Sequence, residues 1–211
     1  MDPYFGRNEV SNSDLSWLKD YWSDDKMDEV SKQKAYKFGT LIDAVITEPF
    51  KVDYFKFQVD GVQYSEEDFE KAVQMKKAFM KDPLAQNLLK QSDTQKVMIT
   101  NRTFTYDEVE FSLDTRCKWD LWMDGLGWGG DLKSTTATTQ KQFEEAVRYF
   151  DYDRQRAWYM DIAGSNQDVL IGVSKDNFKV FKVPIRRGDE LFNSGFKKYN
   201  ELAFKWWALF D

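Results

Sequence analysis

Hydrophobic positions follow a helical period in the first half of the chain. Between residues 33 and 47, Phe38, Leu41, Ile42 and Val45 recur on one helical face, which predicts a core-facing helix that ends before Pro49. Similar stripes predict helices over 65–81 and 84–89, and Ser13 is expected to cap an earlier one. Residues 1–94 are therefore predicted to be mainly helical, apart from an extended piece over 51–59.

From residue 95 the pattern changes to short runs that are typical of strands. VMIT (97–100), EVEFSL (108–113) and CKWDLWM (117–123) predict three strands, and GWGGDLKST (127–135) a fourth, after the hairpin signal Asp124-Gly125. A capping box at Thr139-x-x-Gln142 predicts a helix, and another is expected over about 153–163. Two strands, DVLIGVS (168–174) and FKVFKVP (178–184), and a helix over about 187–210 complete the pattern.

This order of elements predicts a single α/β domain spanning residues 1–211, in which helices flank a mixed central sheet. Residues 95–211 would form the core that carries the functional site. No apolar run is long enough to span a membrane and the beginning lacks a signal-peptide core, so a cytoplasmic protein without a membrane partner is expected.

The composition limits the possible catalytic and metal-binding groups, because the 211 residues include no histidine. Catalysis by Ser-His or Cys-His pairs is excluded, as is zinc bound by imidazole. Cys117 is the one cysteine, which excludes an internal disulfide and a cysteine-rich metal site. Carboxylates, lysine, tyrosine or a hard cation held by oxygen atoms remain. The net charge of −6 lies mostly before residue 116 and decides nothing about a nucleic-acid partner.

The stretch 117–134 concentrates the candidate chemistry. If its turn centres between Gly125 and Leu126, Asp120 and Asp131 lie opposite each other, Lys133 shares their face and Leu132 points into the core. The same alternation puts Trp122 on the Asp120 face and Trp119 on the opposite one. Adjacent carboxylates repel unless a cation lies between them, so these positions could hold Mg²⁺. They could instead be charges on the solvated face of an ordinary hairpin. The spacing taken by itself favours this second interpretation.

Four motifs, in order, extend this pattern over nearly the whole chain. They are SNSDLSWLKDYW (11–22), KFGTLIDAVITEP (37–49), CKWD with DLKSTT, and Gln155-x-x-x-Tyr159. Together they resemble the PD-(D/E)XK nuclease superfamily, and within it the RecE/RecB-like exonucleases of phage and prophage recombination systems. The resemblance implies a restriction-endonuclease-like fold.

The resemblance also implies roles for particular residues. Asp120, Asp131 and the Leu132 carbonyl would bind Mg²⁺ or Mn²⁺, and Lys133 would be the catalytic lysine that contacts the attacking water. Gln155 and Tyr159 would border the site and the DNA. Relatives often place a histidine ligand in the helix that contains Phe38-Gly39-Thr40; this sequence has Asp43 there, with Glu48 as a second candidate.

The function that follows is a metal-dependent deoxyribonuclease, expected to be an exonuclease acting on the ends of duplex DNA in recombination or repair. Ring-forming relatives imply a homo-oligomer, and the phage context implies a single-strand annealing protein as a partner. Two alternatives remain: an endonuclease of the same superfamily, and a nuclease-fold protein that binds nucleic acid or protein without cleavage.

Side chains near the candidate site could contact nucleic acid. Trp122 or Trp128 could stack on a base, but packing in the core is the favoured role for both. Candidates for phosphate contacts are Arg116, Lys118, Lys141, Arg148, Arg154 and Arg156.

Overall fold

The computed structural model describes residues 3–23 and 28–210, and a five-stranded sheet with helices on both faces organises them. The helices are α1 Asn12–Trp22, α2 Glu29–Thr47, α3 Glu66–Lys81, α4 Pro83–Gln91, α5 Gln140–Tyr149, α6 Tyr152–Ala163 and α7 Glu190–Phe210. The strands are β1 Val52–Asp53, β2 Gln58–Val59, β3 Val62–Gln63, β4 Asp93–Tyr106, β5 Val109–Met123, β6 Trp128–Thr135, β7 Gln167–Ser174 and β8 Val180–Arg186.

The sheet is mixed, with strand order β4-β5-β6-β7-β8. Neighbouring strands are antiparallel except β6 and β7, which run parallel and are joined by α5 and α6. A parallel pair needs such a crossover, because a tight turn cannot return the chain to the starting edge. This arrangement confirms the predicted α/β class with a mixed central sheet flanked by helices.

Each face of the sheet carries its own core. On one face, α1, α5, α6 and α7 cover β4 and β5, and Trp119, Trp158 and Tyr199 are buried there. On the other face, α2, α3 and α4 pack over β6 and β7, with Leu41 and Phe79 fully buried. The central strand β6 therefore has protein on both sides, which explains how charged residues on it come to be enclosed.

Three element predictions are corrected. EVEFSL and CKWDLWM belong to one strand, β5, because β4 pairs with it from Tyr106↔Val109 to Asp93↔Trp122, with one position skipped. The extended piece over 51–59 lies within a small separate sheet formed by β1, β2 and β3. The cap of α1 is Ser11 instead of Ser13: Ser11 accepts a hydrogen bond from the Asp14 amide, and the Asp14 carboxylate accepts one from the Ser11 amide at 2.8 Å.

No helix in 3–23 or 28–210 is long and apolar enough to cross a membrane.

Two helical glycines give a matched test of the packing between α6 and α7. A Cβ at Gly195 in α7 would lie 2.1 Å from the Asp153 carbonyl oxygen, whereas a Cβ at Gly39 in α2 would meet nothing within 4 Å. We expect Gly195→Ala to lower the free energy of unfolding by about 3 kcal/mol. Gly39→Ala should raise it by about 1 kcal/mol, since alanine favours helix. Urea unfolding measures both, and equal effects would contradict the close approach of α6 and α7.

Candidate active site

The β5–β6 hairpin has the register that the turn signal predicts. Leu121 pairs with Gly130, Trp122 with Gly129 and Met123 with Trp128. The ladder stops there, one step before Asp120 and Asp131 would meet in the same register. Instead, the Asp120 carboxylate accepts a hydrogen bond of 2.8 Å from the Leu132 amide. The two strands part at this point, and the aspartate side chain replaces the missing backbone acceptor.

Gln95 accounts for the same interruption on the other side of β5. Its backbone lies in the left-handed region, at φ 54°, and the β4–β5 pairing skips the position where Gln95 would face Asp120. The Gln95 amide donates to Thr47 Oγ1 in α2 at 3.1 Å and, at 3.4 Å, to Asp120 Oδ1. Gln95 therefore links α2 to the candidate site, a role that no motif in the sequence indicated.

The alternation of β5 changes phase at Asp120, which corrects one prediction. The rings of Trp119 and Trp122 lie 4.8 Å apart in the same core instead of on opposite faces. Trp122 is buried, which excludes it as an exposed stacking surface and agrees with the favoured core role. Its indole nitrogen donates to Asp124 at 2.6 Å.

Asp131 and Lys133 share a face of β6, while Leu132 between them packs into the opposite core. The Lys133 ammonium lies 2.5 Å from Asp131 Oδ2, and Asp131 is 2% exposed. The same ammonium lies 5.0 Å from the ring centre of Tyr152, at the start of α6. The hairpin thus holds an enclosed ion pair next to Asp120, unlike the solvated charges of an ordinary hairpin.

Arg156 in α6 fixes the other oxygen of Asp131. Its Nη1 donates to Asp131 Oδ1 at 2.7 Å, and its Nε donates to Asp168 Oδ2 at 2.5 Å. The guanidinium is fully buried, 4.5 Å from the Trp119 ring centre and 4.4 Å from that of Tyr159. Asp168 is the second residue of β7 and pairs with Gly129 of β6, so one arginine ties β6 and β7 to α6.

Burial and neighbouring charges shift the acidities of these groups. Burial, together with the charge of Asp131, raises the pKa of Asp120 to about 6. Burial by itself would lower the pKa of Lys133, but Asp131 and Asp120 outweigh it, so the pKa of this ammonium is raised and it is a cation at neutral pH. Perturbed groups of opposite sign in one place are typical of functional sites.

Asp43 belongs to this group of charges, whereas Glu48 does not. Burial, followed by the charges of Asp120 and Asp131, raises the pKa of Asp43 well above its usual range. Glu48 ends α2 and pairs with Lys51 at 2.7 Å. The electrostatic interaction with Asp120 and Asp131 therefore favours Asp43 over Glu48 as the side chain that α2 brings to the site.

Tyr159 and Gln155 differ in their surroundings. Tyr159 is buried against Trp119, with ring centres 5.7 Å apart, and against Arg156. Gln155 is partly exposed, and its side chain forms no hydrogen bond within the described residues. Tyr159 reaches the site through the Arg156 guanidinium, while Gln155 is left available to a ligand.

Three of the candidate phosphate contacts are excluded by burial. Arg116 hydrogen-bonds to the backbone carbonyls of Arg7 and Glu9, and Arg154 donates to Asn12 at 3.1 Å. With Arg156 they are at most 3% exposed, so these arginines serve the fold. The remaining candidates are Lys118, Lys141 and Arg148.

The donor atoms at the site suit a hard divalent cation. Asp120, Asp131 and the Leu132 carbonyl offer only oxygen, the ligand that Mg²⁺ and Mn²⁺ prefer. Asp131 Oδ2 is buried, and among the described residues no hydrogen-bond donor reaches it with good geometry, apart from the ion pair with Lys133. Within 3–23 and 28–210 no three acidic or cysteine side chains converge closely enough to hold a metal together. The residues therefore fit a cation held by two carboxylates, a carbonyl and water.

Removal of Arg156 tests the buried charge cluster. Arg156→Met would leave Asp131 and Asp168 without their shared cation, so we expect the free energy of unfolding to fall by about 4 kcal/mol. Arg148→Met is the matched control, because Arg148 pairs with Glu190 on the surface, and its effect should stay within about 0.5 kcal/mol. Urea unfolding compares the two variants. A small effect of Arg156→Met would contradict the cluster.

A family model described as "PDDEXK-like domain of unknown function (DUF3799)" matches residues 13–209. Among solved structures, a phage related exonuclease from Haemophilus somnus 129PT is 12% identical, with a TM-score of 0.43 over 94% of this chain and 93% of that one. A protein solved under the name SSO0001 is 11% identical, with a TM-score of 0.39 over 78% and 74% of the two chains. No curated protein matches the chain. Because the family model spans nearly all of the sequence, the chain belongs to this PDDEXK-like family, and so to the PD-(D/E)XK nuclease superfamily that its motifs resemble.

Proposed function

We propose that the chain is a divalent-metal-dependent deoxyribonuclease that hydrolyses phosphodiester bonds. The observation that carries the proposal is the enclosed pair of Asp131 and Lys133 beside Asp120, on the strands that bear the family's motif. Asp131 is buried, and Asp120 and Lys133 are only partly exposed; withdrawing such charges from water opposes folding unless they are compensated. Such an arrangement is typical of a site that binds a cation and an anionic substrate.

The side chains divide the work in this proposal. Asp120, Asp131 and the Leu132 carbonyl would hold Mg²⁺ or Mn²⁺, with Asp43 beside them. A divalent ion held there would supply positive charge for polarising the phosphate and for stabilising the leaving oxygen. Lys133, which stays protonated, favours the deprotonated form of the attacking water by its positive charge. Arg156 positions Asp131, Tyr159 packs on the Arg156 guanidinium, and the partly exposed Gln155 borders the DNA.

The finer assignments rest on the resemblance of the motifs to RecE/RecB-like exonucleases. They are exonuclease action on the ends of linear duplex DNA, a place in phage-type recombination or repair, a homo-oligomer and an annealing protein as partner. An endonuclease of the same superfamily and a protein that binds without cleavage are the competing outcomes of the following assay.

Cleavage of linear and closed circular DNA tests the activity directly. We expect wild type to digest linear duplex with Mg²⁺ or Mn²⁺, and not in EDTA. Lys133→Ala and Asp131→Ala should each lose at least about a hundredfold in rate, since each removes charge stabilisation at the reacting phosphate. Product length on linear DNA separates exonuclease from endonuclease.

The pair Lys205 and Glu201 provides matched controls for that assay. It joins the same kinds of charge as Lys133 and Asp131, 2.6 Å apart on an exposed face of α7. Lys205→Ala and Glu201→Ala should therefore keep the wild-type rate. Cleavage of closed circular DNA would indicate an endonuclease instead of an exonuclease. The absence of any metal-dependent cleavage by wild type would refute both activities.

The Mg²⁺ requirement for cleavage by two variants tests whether Asp43 or Glu48 lies beside the proposed cation. Asp43→Asn removes a charge next to the proposed cation, so the Mg²⁺ concentration for half-maximal cleavage should rise about tenfold or more. Glu48→Gln, at the end of the same helix, should leave it unchanged because Glu48 pairs with Lys51. A titration of rate against Mg²⁺ measures both, and the reverse order would make Glu48 the ligand.

A further inference from the structure

Three aromatic residues form a corner between α5 and α6, next to the candidate site. We define the aromatic corner as Tyr149, Phe150 and Tyr152. Tyr149 is 76% exposed and Phe150 47% exposed, whereas Tyr152 is partly buried beneath them. The Phe150 and Tyr152 rings stack with centres 5.7 Å apart, and Tyr149 meets Phe150 edge-on at 4.8 Å. Large exposed rings cost free energy in water unless a ligand covers them.

The backbone of this corner is strained and held from two sides. Asp151, between Phe150 and Tyr152, lies in the left-handed region at φ 54°, which is unfavourable for a residue other than glycine. Its carboxylate is pinned by Lys19 of α1 at 2.5 Å and by Lys198 of α7 at 2.8 Å. The two ion pairs keep the bend that sets the rings of Phe150 and Tyr152 on each other.

The aromatic corner adjoins Lys133 of the candidate site. Tyr152, stacked under Phe150, carries the Lys133 ammonium 5.0 Å from its ring centre. From α2, Tyr36 is close enough to interact electrostatically with Tyr152, and it is 64% exposed. Asp43 lies two helical turns beyond Tyr36 on the same face of α2. Tyr152 therefore connects Lys133 with two exposed rings, Phe150 of the corner and Tyr36 of α2.

We propose that the aromatic corner binds unpaired bases of a DNA strand by stacking, with Phe150 as the main platform. The proposal rests on the proposed function, since it takes DNA as the occupant. A strand whose phosphate lies at Lys133 passes within reach of Phe150, and every base offers a flat face to an aromatic ring. Paired bases inside a duplex are stacked on one another, so the corner selects ends with an overhang or frayed bases.

The experiment compares DNA affinity with and without an overhang. Duplexes with a short 5′ or 3′ overhang and a blunt duplex, each labelled with a fluorophore, are titrated by anisotropy in EDTA, which prevents metal-dependent cleavage. Wild type should bind one overhang duplex more tightly than the blunt one. Phe150→Leu, which keeps apolar bulk without a ring, should lose roughly tenfold in affinity for that duplex and none for blunt DNA. Phe150→Trp should retain the preference.

Phe55→Leu is the matched control, because Phe55 is 97% exposed and lies in the turn between β1 and β2 of the small sheet. Tyr149→Leu is a second test that does not depend on how Phe150→Leu folds, and it should weaken overhang binding as well. Equal affinity of wild type for overhang and blunt DNA, or an equal loss in Phe55→Leu, would overturn the proposal. If wild type cleaves DNA with metal but Phe150 has no role in binding, the stacking proposal fails and the nuclease proposal stands. If the corner stacks bases but wild type does not cleave DNA, only the nuclease proposal fails.

Discussion

The buried guanidinium of Arg156 is the constraint on which the site depends. A cation with no access to water is tolerated only when anions accept its hydrogen bonds, so Asp131 and Asp168 must stay where β6 and β7 place them. The attraction in such a cluster barely exceeds the cost of removing the charges from water. Its main consequence is therefore geometric: Asp131 turns one oxygen to Arg156 and the other to Lys133.

The second consequence concerns where β5 and β6 separate. A continuous ladder would satisfy the Leu132 amide with a backbone carbonyl, and Asp120 would have no structural duty. Because the ladder stops at Leu121 and Gly130, the Asp120 carboxylate is bound to β6 and held near Asp131. Burial, together with the proximity of the two anions, raises the pKa of Asp120 and opposes folding, and a divalent cation would offset the repulsion.

Much of the scaffold could be predicted from sequence, because period-two alternation and a turn signal fix the register of a hairpin. The change of phase at Asp120 could not, since it arises from the partner strand, where Gln95 adopts a left-handed backbone. The sequence groups Arg156 with candidate phosphate contacts, because a charged residue on a helix usually faces solvent. Two sequence features together indicate a buried ion pair. An arginine lies close to Trp158 and Tyr159 in α6, and an aspartate stands at the start of the apolar run of β7.

Helix α6 joins these features mechanically. It begins at the aromatic corner with Tyr152, carries Arg156 one turn later and buries nearly all of its remaining side chains. Lys19 and Lys198 hold the bend before it, from helices near the two ends of the described chain. A shift of α6 along its axis would therefore move the stacking surface and the support of Asp131 together. The distance between a stacked base and the candidate reacting phosphate is consequently set by one rigid helix.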